Sequence, residues 1–102
     1  MNKMNIHYLH PMNKSDQYEN LRNELNKQGN WPLLYMFKFI IPAENKKIAL
    51  VESKFSNDSV ITKKESYNGK YISITVKEVM LDAESIINKY KEMEGIEGLM
   101  SF

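Results

Sequence analysis

Residues 60–80, VITKKESYNGKYISITVKEVM, hold two strand-like runs on either side of Asn68-Gly69. The runs are Val60–Tyr67 and Tyr71–Met80, here named β2 and β3. Asn-Gly between alternating residues is the strongest short hairpin signal, because a type I′ turn needs positive φ at both central positions. A two-residue loop pairs Glu65 with Ile72 and Lys63 with Ile74. A three-residue loop that includes Lys70 pairs Thr62 with Val76 and Lys64 with Ile74. Periodicity leaves both registers open, and either places charges beside the buried face, as suits an edge strand.

Upstream of the hairpin, Trp31-Pro32 opens a run from Leu33 to Ile41, rich in aromatic and β-branched residues and bounded by prolines. It is read as a central strand, β1. Tyr35, Phe37, Phe39 and Ile41 share one face, and Leu34, Met36, Lys38 and Ile40 share the other. Residues 43–55 place Ile48, Val51 and Phe55 on one helical stripe, so a helix α2 is expected there, ended by Asn57-Asp58. After the hairpin, Asp82 is a cap for a helix α3 whose stripe is Ile86, Ile87, Tyr90 and Met93, with Gly95 at the C′ position. Residues 98–102 read as a last short strand, β4.

Ahead of this block, residues 1–14 show no sustained period and read as a flexible tail, with Met12 as an alternative start. Ser15 or Asp16 can cap a helix α1 over residues 15–29, with apolar positions Tyr18, Leu21 and Leu25 and an end near Gly29. From residue 31 the order is β1-α2-β2-β3-α3-β4. The expected fold is α+β, a ferredoxin-like βαββαβ sandwich over residues 31–102: a four-stranded antiparallel sheet in order 4-1-3-2 with two helices on one face and an extra N-terminal helix. Within it, β1 and β3 are expected side by side and parallel, with β2 and β4 at the edges. The other sheet face is left open.

The bulk numbers agree with one such domain. A chain of 102 residues buries roughly 60–70% of the surface its unfolded form exposes, and folds without metal or disulfide. With 42% hydrophobic residues, 26% charged residues and a mean hydropathy of -0.52, it belongs with globular proteins. No apolar run approaches the roughly 20 residues that span a bilayer. A cytoplasmic protein without membrane association is expected. The absence of cysteine excludes thiolate catalysis and cysteine-ligated metal. Net charge is +1, divided as +1 over residues 1–30, +3 over 31–81 and -3 over 82–102. Thirteen of the fourteen basic residues are lysine, and Arg22 alone offers a planar fork for phosphate or guanine, which argues against nucleic acid.

Candidate chemistry is sparse. His7 and His10 lie beside Pro11 without a third ligand close in sequence, so no metal is expected. The carboxylate pairs Glu92 with Glu94 and Glu65 with Glu78 fall in segments that read as solvated surface. No P-loop, GxSxG or GxGxxG motif occurs, no histidine lies in the folded part, and neither an enzyme nor a cofactor is expected. Asn68-Gly69 leads into a strand rather than a helix N-terminus, so it reads as turn geometry and not as an anion loop. On the open face, β3 presents Tyr71, Ser73, Thr75 and Lys77 beside Met36 and Lys38 of β1. The candidate ligand-binding residues are Met36, Lys38, Tyr71, Ser73 and Thr75. An RNA-recognition domain shares this element order, but only one ring, Tyr71, would stack from β3.

With these segments placed, the chain resembles the YbeD-like family of small bacterial domains of unknown function. The residues that carry the resemblance are Trp31-Pro32-Leu33 through Phe37-Lys38-Phe39-Ile40-Ile41-Pro42, then residues 66–76, then Glu94-Gly95-Ile96-Glu97-Gly98-Leu99. It spans about residues 16–102. It implies a ferredoxin-like fold close to the ACT regulatory domains and a role in allosteric or small-molecule regulation. ACT domains that bind amino acids use a glycine between β1 and the following helix. Ile41-Pro42-Ala43-Glu44-Asn45 has none, a departure from that pattern that argues against amino-acid binding there. The expected protein is a non-enzymatic regulatory or interaction module. A homodimer contact, a protein partner or a small-molecule effector would use the open face, unless the Tyr18-Leu21-Leu25 helix covers it.

Overall fold

The computed structural model describes residues 14–102. The expected tail, its two histidines and the alternative start at Met12 lie outside the described residues. The chain divides into two units, the first ending at Asn30 and the second running from Trp31 to Phe102.

In the first unit, α1 spans Lys14–Gln28. It is already helical at Lys14, so Ser15 and Asp16 lie in its first turn rather than at its cap. Leu25 is buried, and Tyr18 and Leu21 are half-buried. The helix ends at Gly29, whose φ of 65° lets its N–H reach the Leu25 carbonyl at 3.5 Å, an αL cap.

The second unit is α+β. Its strands are β1 (Leu33–Pro42), β2 (Val60–Glu65), β3 (Tyr71–Met80) and β4 (Met100–Ser101), and its helices are α2 (Asn45–Glu52) and α3 (Ala83–Met93). The sheet order is β2-β3-β1-β4, or 4-1-3-2 counted from the opposite edge, and every pairing is antiparallel. The expectation that β1 and β3 run parallel is corrected: they are antiparallel over ten residue pairs, from Leu33 opposite Met80 to Pro42 opposite Tyr71. The hairpin turns β3 against β2, and β2 runs in the direction of β1, so β3 has to oppose both.

The register follows the two-residue option, with Glu65 opposite Ile72 and Lys63 opposite Ile74. The turn itself is not type I′. Among the described residues only glycines take positive φ, and at the hairpin tip that residue is Gly69 alone, at 73°. Asn68 contributes through its side chain instead. Its Oδ1 accepts from the Lys70 N–H at 3.1 Å and from Ser66 Oγ at 3.0 Å, while the Gly69 N–H donates to Ser66 O. These local bonds satisfy the backbone without forcing asparagine into a left-handed conformation. They also take Ser66 and Tyr67 out of the strand, so β2 stops at Glu65.

Two helix ends differ from expectation for a related reason. Helix α2 stops at Glu52 because Lys54 and Phe55 wind into i→i+3 turns, with N–H bonds to Val51 O at 3.1 Å and Glu52 O at 3.2 Å. That tightening carries Phe55 into the core. Gly95 does not take a positive φ. Successive turns at Glu94, Ile96 and Leu99 continue the chain, and the left-handed glycine is Gly98, at φ 85°. The last strand is correspondingly short. The α3 start is as expected and stronger: Asp82 accepts from the Ser85 N–H at 2.8 Å, and Ser85 Oγ returns to Asp82 N in a capping box. Asp82→Ala should cost about 1 kcal/mol of stability, read by urea denaturation. An unchanged midpoint would show that the box contributes nothing.

The core lies between the sheet and its two helices. Phe37, Phe39 and Ile41 of β1 and Ile74 and Val76 of β3 are fully buried, together with Val51, Ile86 and Ile87. The Phe37 and Phe39 rings meet Phe55 and Tyr90 with centroids 5.2–6.3 Å apart. Both helices therefore cover the face that carries these rings. Lys89 spans the layer, its ammonium 5.0 Å from the centre of the Phe55 ring and bonded to Lys54 O.

Tyr35 puts a polar group at the margin of this core. Its hydroxyl lies 2.9 Å from the Tyr90 hydroxyl. Burial raises its pKa above the ordinary tyrosine value, and the Tyr90 bond offsets part of that rise. The folded protein then holds this proton at pH values where the unfolded chain has released it. The stability that Tyr35 contributes is complete below about pH 10 and is lost as pH rises toward its folded pKa, by at most about 1.4 kcal/mol per pH unit. Urea denaturation across the alkaline range should show a shallower fall for Tyr35→Phe than for the native chain. Identical slopes would contradict the buried-hydroxyl account.

Candidate binding face

The face turned away from the helices is built by strand alternation. From β1 it carries Leu34, Met36, Lys38 and Ile40; from β2, Val60, Thr62 and Lys64; from β3, Tyr71, Ser73, Thr75, Lys77 and Val79; from β4, Met100. The register sets these in rows across the sheet. Lys64, Ser73 and Ile40 form one row, Thr62, Thr75 and Lys38 the next, and Val60, Lys77 and Met36 a third. Val79 lies opposite Leu34 and Tyr71 opposite Pro42.

The five candidate residues, Met36, Lys38, Tyr71, Ser73 and Thr75, therefore share one face. Lys38 and Thr75 are directly opposed, while Tyr71 sits at the hairpin end beside Pro42. Met36, Lys38 and Tyr71 are exposed; Ser73 and Thr75 are half-buried between neighbouring strands. Asn68 and Gly69 form the exposed tip beyond Tyr71 and belong to the turn. The β2 residues Val60, Thr62 and Lys64 join the face although the candidate set omitted them. The signal that would have found them was the two-residue-loop register, which places Lys64 beside Ser73 and Thr62 beside Thr75.

Two physical properties define the face. It exposes large apolar groups, with Leu34 63%, Val79 58% and Met36 54% accessible, and Val60 and Met100 also exposed. It is also cationic. Lys38, Lys64 and Lys77 are exposed and, among the described residues, form no ion pair. Both carboxylates of the strands, Glu65 and Glu78, fall on the helix side, where Glu78 accepts from the Ser56 N–H at 2.9 Å. Lys63, also on that side, is bonded to Glu52 at 2.6 Å.

The loop from β1 to α2 has its backbone donors engaged. The Ala43 N–H bonds Lys70 O at 3.0 Å, and the Glu44 N–H bonds Pro42 O at 2.7 Å. Gly98 packs against the same loop, where a Cβ would come within 2.8 Å of Pro42 Cγ. Among the described residues, no group of three or more histidines and carboxylates is placed to hold a metal ion, and no helix is long and apolar enough to cross a membrane.

In comparisons with known proteins, the chain matches no family profile, no curated protein and no solved structure.

Proposed function

We propose that residues 31–102 form a ferredoxin-like domain of the regulatory or interaction type, akin to the YbeD-like and ACT domains, which acts by binding and not by catalysis. The observation that carries this reading is the open sheet face. Leu34, Met36, Val60, Val79 and Met100 are all exposed on it, and large apolar side chains gathered on one face mark an interaction surface. Binding is assigned to that face rather than to the β1–α2 loop, because the Ala43 and Glu44 N–H groups are already bonded within the chain. A second reading, an RNA-recognition type of domain, has the three lysines of the face in its favour. It has one strand-borne ring, Tyr71, where such sheets stack two or three bases.

The test uses the full chain as bait in native lysate, beside a Leu34→Asp, Met36→Asp variant, with retained proteins and small molecules identified by mass spectrometry. The native chain should retain a ligand or partner that the variant loses. Adding it back at about 100 times its Kd should stabilise the native chain by about 2.7 kcal/mol, seen as a rise in melting temperature. Equal retention by both chains would remove the open face as the site.

A further inference from the structure

We propose that the open face docks an acidic peptide segment of a protein partner, with carboxylates alternating with apolar or hydroxyl side chains. This rests on the reading of the open face as the binding surface and adds the chemistry of what it binds.

Charge is the first argument. Lys38, Lys64 and Lys77 stand on a face to which the strands contribute no carboxylate. Each ammonium remains available to an incoming anion, since none is paired among the described residues. Spacing is the second. Lys38 lies opposite Thr75 and Lys77 two residues further along β3, so the two lysines are diagonal neighbours, about 7–8 Å apart at the backbone. Alternate side chains of an extended peptide are separated by about 6.6–6.8 Å, so carboxylates at every second position match that interval. Lys64, opposite Ser73 and two strands from Lys38, is the third corner of the cationic patch, and the Thr62, Ser73 and Thr75 hydroxyls among the lysines offer further hydrogen bonds. Apolar ground flanks this patch: Leu34, Val79 and Met36 toward one end of the sheet, Ile40 and Met100 toward the other.

The same features weigh against the other occupants. A second copy docked face to face would bring six lysines together with no strand carboxylate between them, and like charges in one interface are repulsive. A nucleic acid would find Tyr71 as the one strand ring on the face and no arginine in residues 31–102.

The experiment is fluorescence anisotropy of the full chain with a labelled synthetic peptide that has glutamate at alternate positions and leucine and threonine between. The probes compared with it are its glutamine counterpart and a single-stranded RNA oligonucleotide. The glutamate peptide should bind, weaken with salt, and lose about tenfold or more in affinity to Lys38→Glu, Lys77→Glu and in the glutamine version. A charge-matched Lys46→Glu, Lys54→Glu control on the helix side of the same unit should bind as the native chain does, and circular dichroism checks that both variants fold. No binding of the glutamate peptide, equal binding of the glutamine peptide, or equal loss in the control overturns the proposal. Tighter binding of RNA, abolished by the same lysine changes, overturns it in favour of nucleic acid. If the peptide fails while a lysate ligand is still lost by Leu34→Asp, Met36→Asp, the binding face stands and the acidic-peptide class falls. If neither depends on the open face, both readings fall together.

Discussion

Phe37→Ala is expected to destabilise the protein by about 3–5 kcal/mol, a large share of the roughly 5–15 kcal/mol typical of small domains. The Phe37 ring is fully buried at the centre of the helix-facing side of β1. Its centroid lies 4.7 Å from Tyr35, 5.2 Å from Phe55, 5.4 Å from Tyr90 and 6.1 Å from Phe39. Truncation removes the transfer free energy of the ring and leaves a cavity whose walls belong to three elements, so collapse around it is limited. Met36, one residue away on the opposite face and more than half exposed, is the internal control. Met36→Ala should change stability by no more than about 0.5 kcal/mol. Urea denaturation of the two variants checks both values, and a Phe37→Ala effect below about 1 kcal/mol would mean that the ring cluster is not the core.

Gly98→Ala carries the next largest effect, about 2–4 kcal/mol, from two separable causes. The φ of 85° is a conformation that costs an alanine about 1–2 kcal/mol. A Cβ there would also lie 2.8 Å from Pro42 Cγ and 3.0 Å from Pro42 Cδ, and a proline ring fixed at the end of β1 has little freedom to yield. Gly69→Ala isolates the first cause, because Gly69 has a φ of 73° and nothing within 4 Å of its Cβ position. Gly98→Ala should therefore cost more than Gly69→Ala. The excess should shrink when Gly98→Ala is combined with Pro42→Ala, a coupling that a double-mutant cycle measures. Equal costs for the two glycines would show that the Pro42 contact is immaterial. Gly98 lies two residues before β4, so displacing it should also loosen the Phe102 N–H bond to Lys38 O, visible as faster amide exchange at Phe102.

The parts of the fold legible in the sequence are those where one period dominates. The β1 and β3 alternation placed Phe37, Phe39, Ile74 and Val76 on the buried side, and the spacing of Ile86, Ile87 and Met93 after Asp82 placed α3. What escaped the sequence reading depended on bonds between neighbouring side chains and backbone. Asn68 looked like a residue for a left-handed turn, and its carboxamide instead closes the loop by accepting from Ser66 and Lys70. Gly95 looked like the helix terminator, yet the chain unwinds by i→i+3 turns and spends its left-handed step at Gly98, where close packing against Pro42 demands a glycine. The parallel arrangement expected for β1 and β3 failed on strand direction alone, since the hairpin that joins β2 to β3 already dictates it.

The candidate face was legible in part. Alternation along β1 and β3 named Met36, Lys38, Tyr71, Ser73 and Thr75 as neighbours, and the register confirms that they share a face. Its cationic character was hidden, because Lys64 joins it only under one of two registers, and Glu65 and Glu78 leave it only when the faces are assigned strand by strand.

Backbone amide shift mapping of the full chain with the glutamate peptide reads out whether this sheet face is where the protein binds. Shifts should concentrate at Leu34, Met36, Lys38, Lys64, Ser73, Thr75 and Lys77, with α3 amides unmoved. Shifts centred on α2 and α3, with the sheet amides unchanged, would contradict binding at this face.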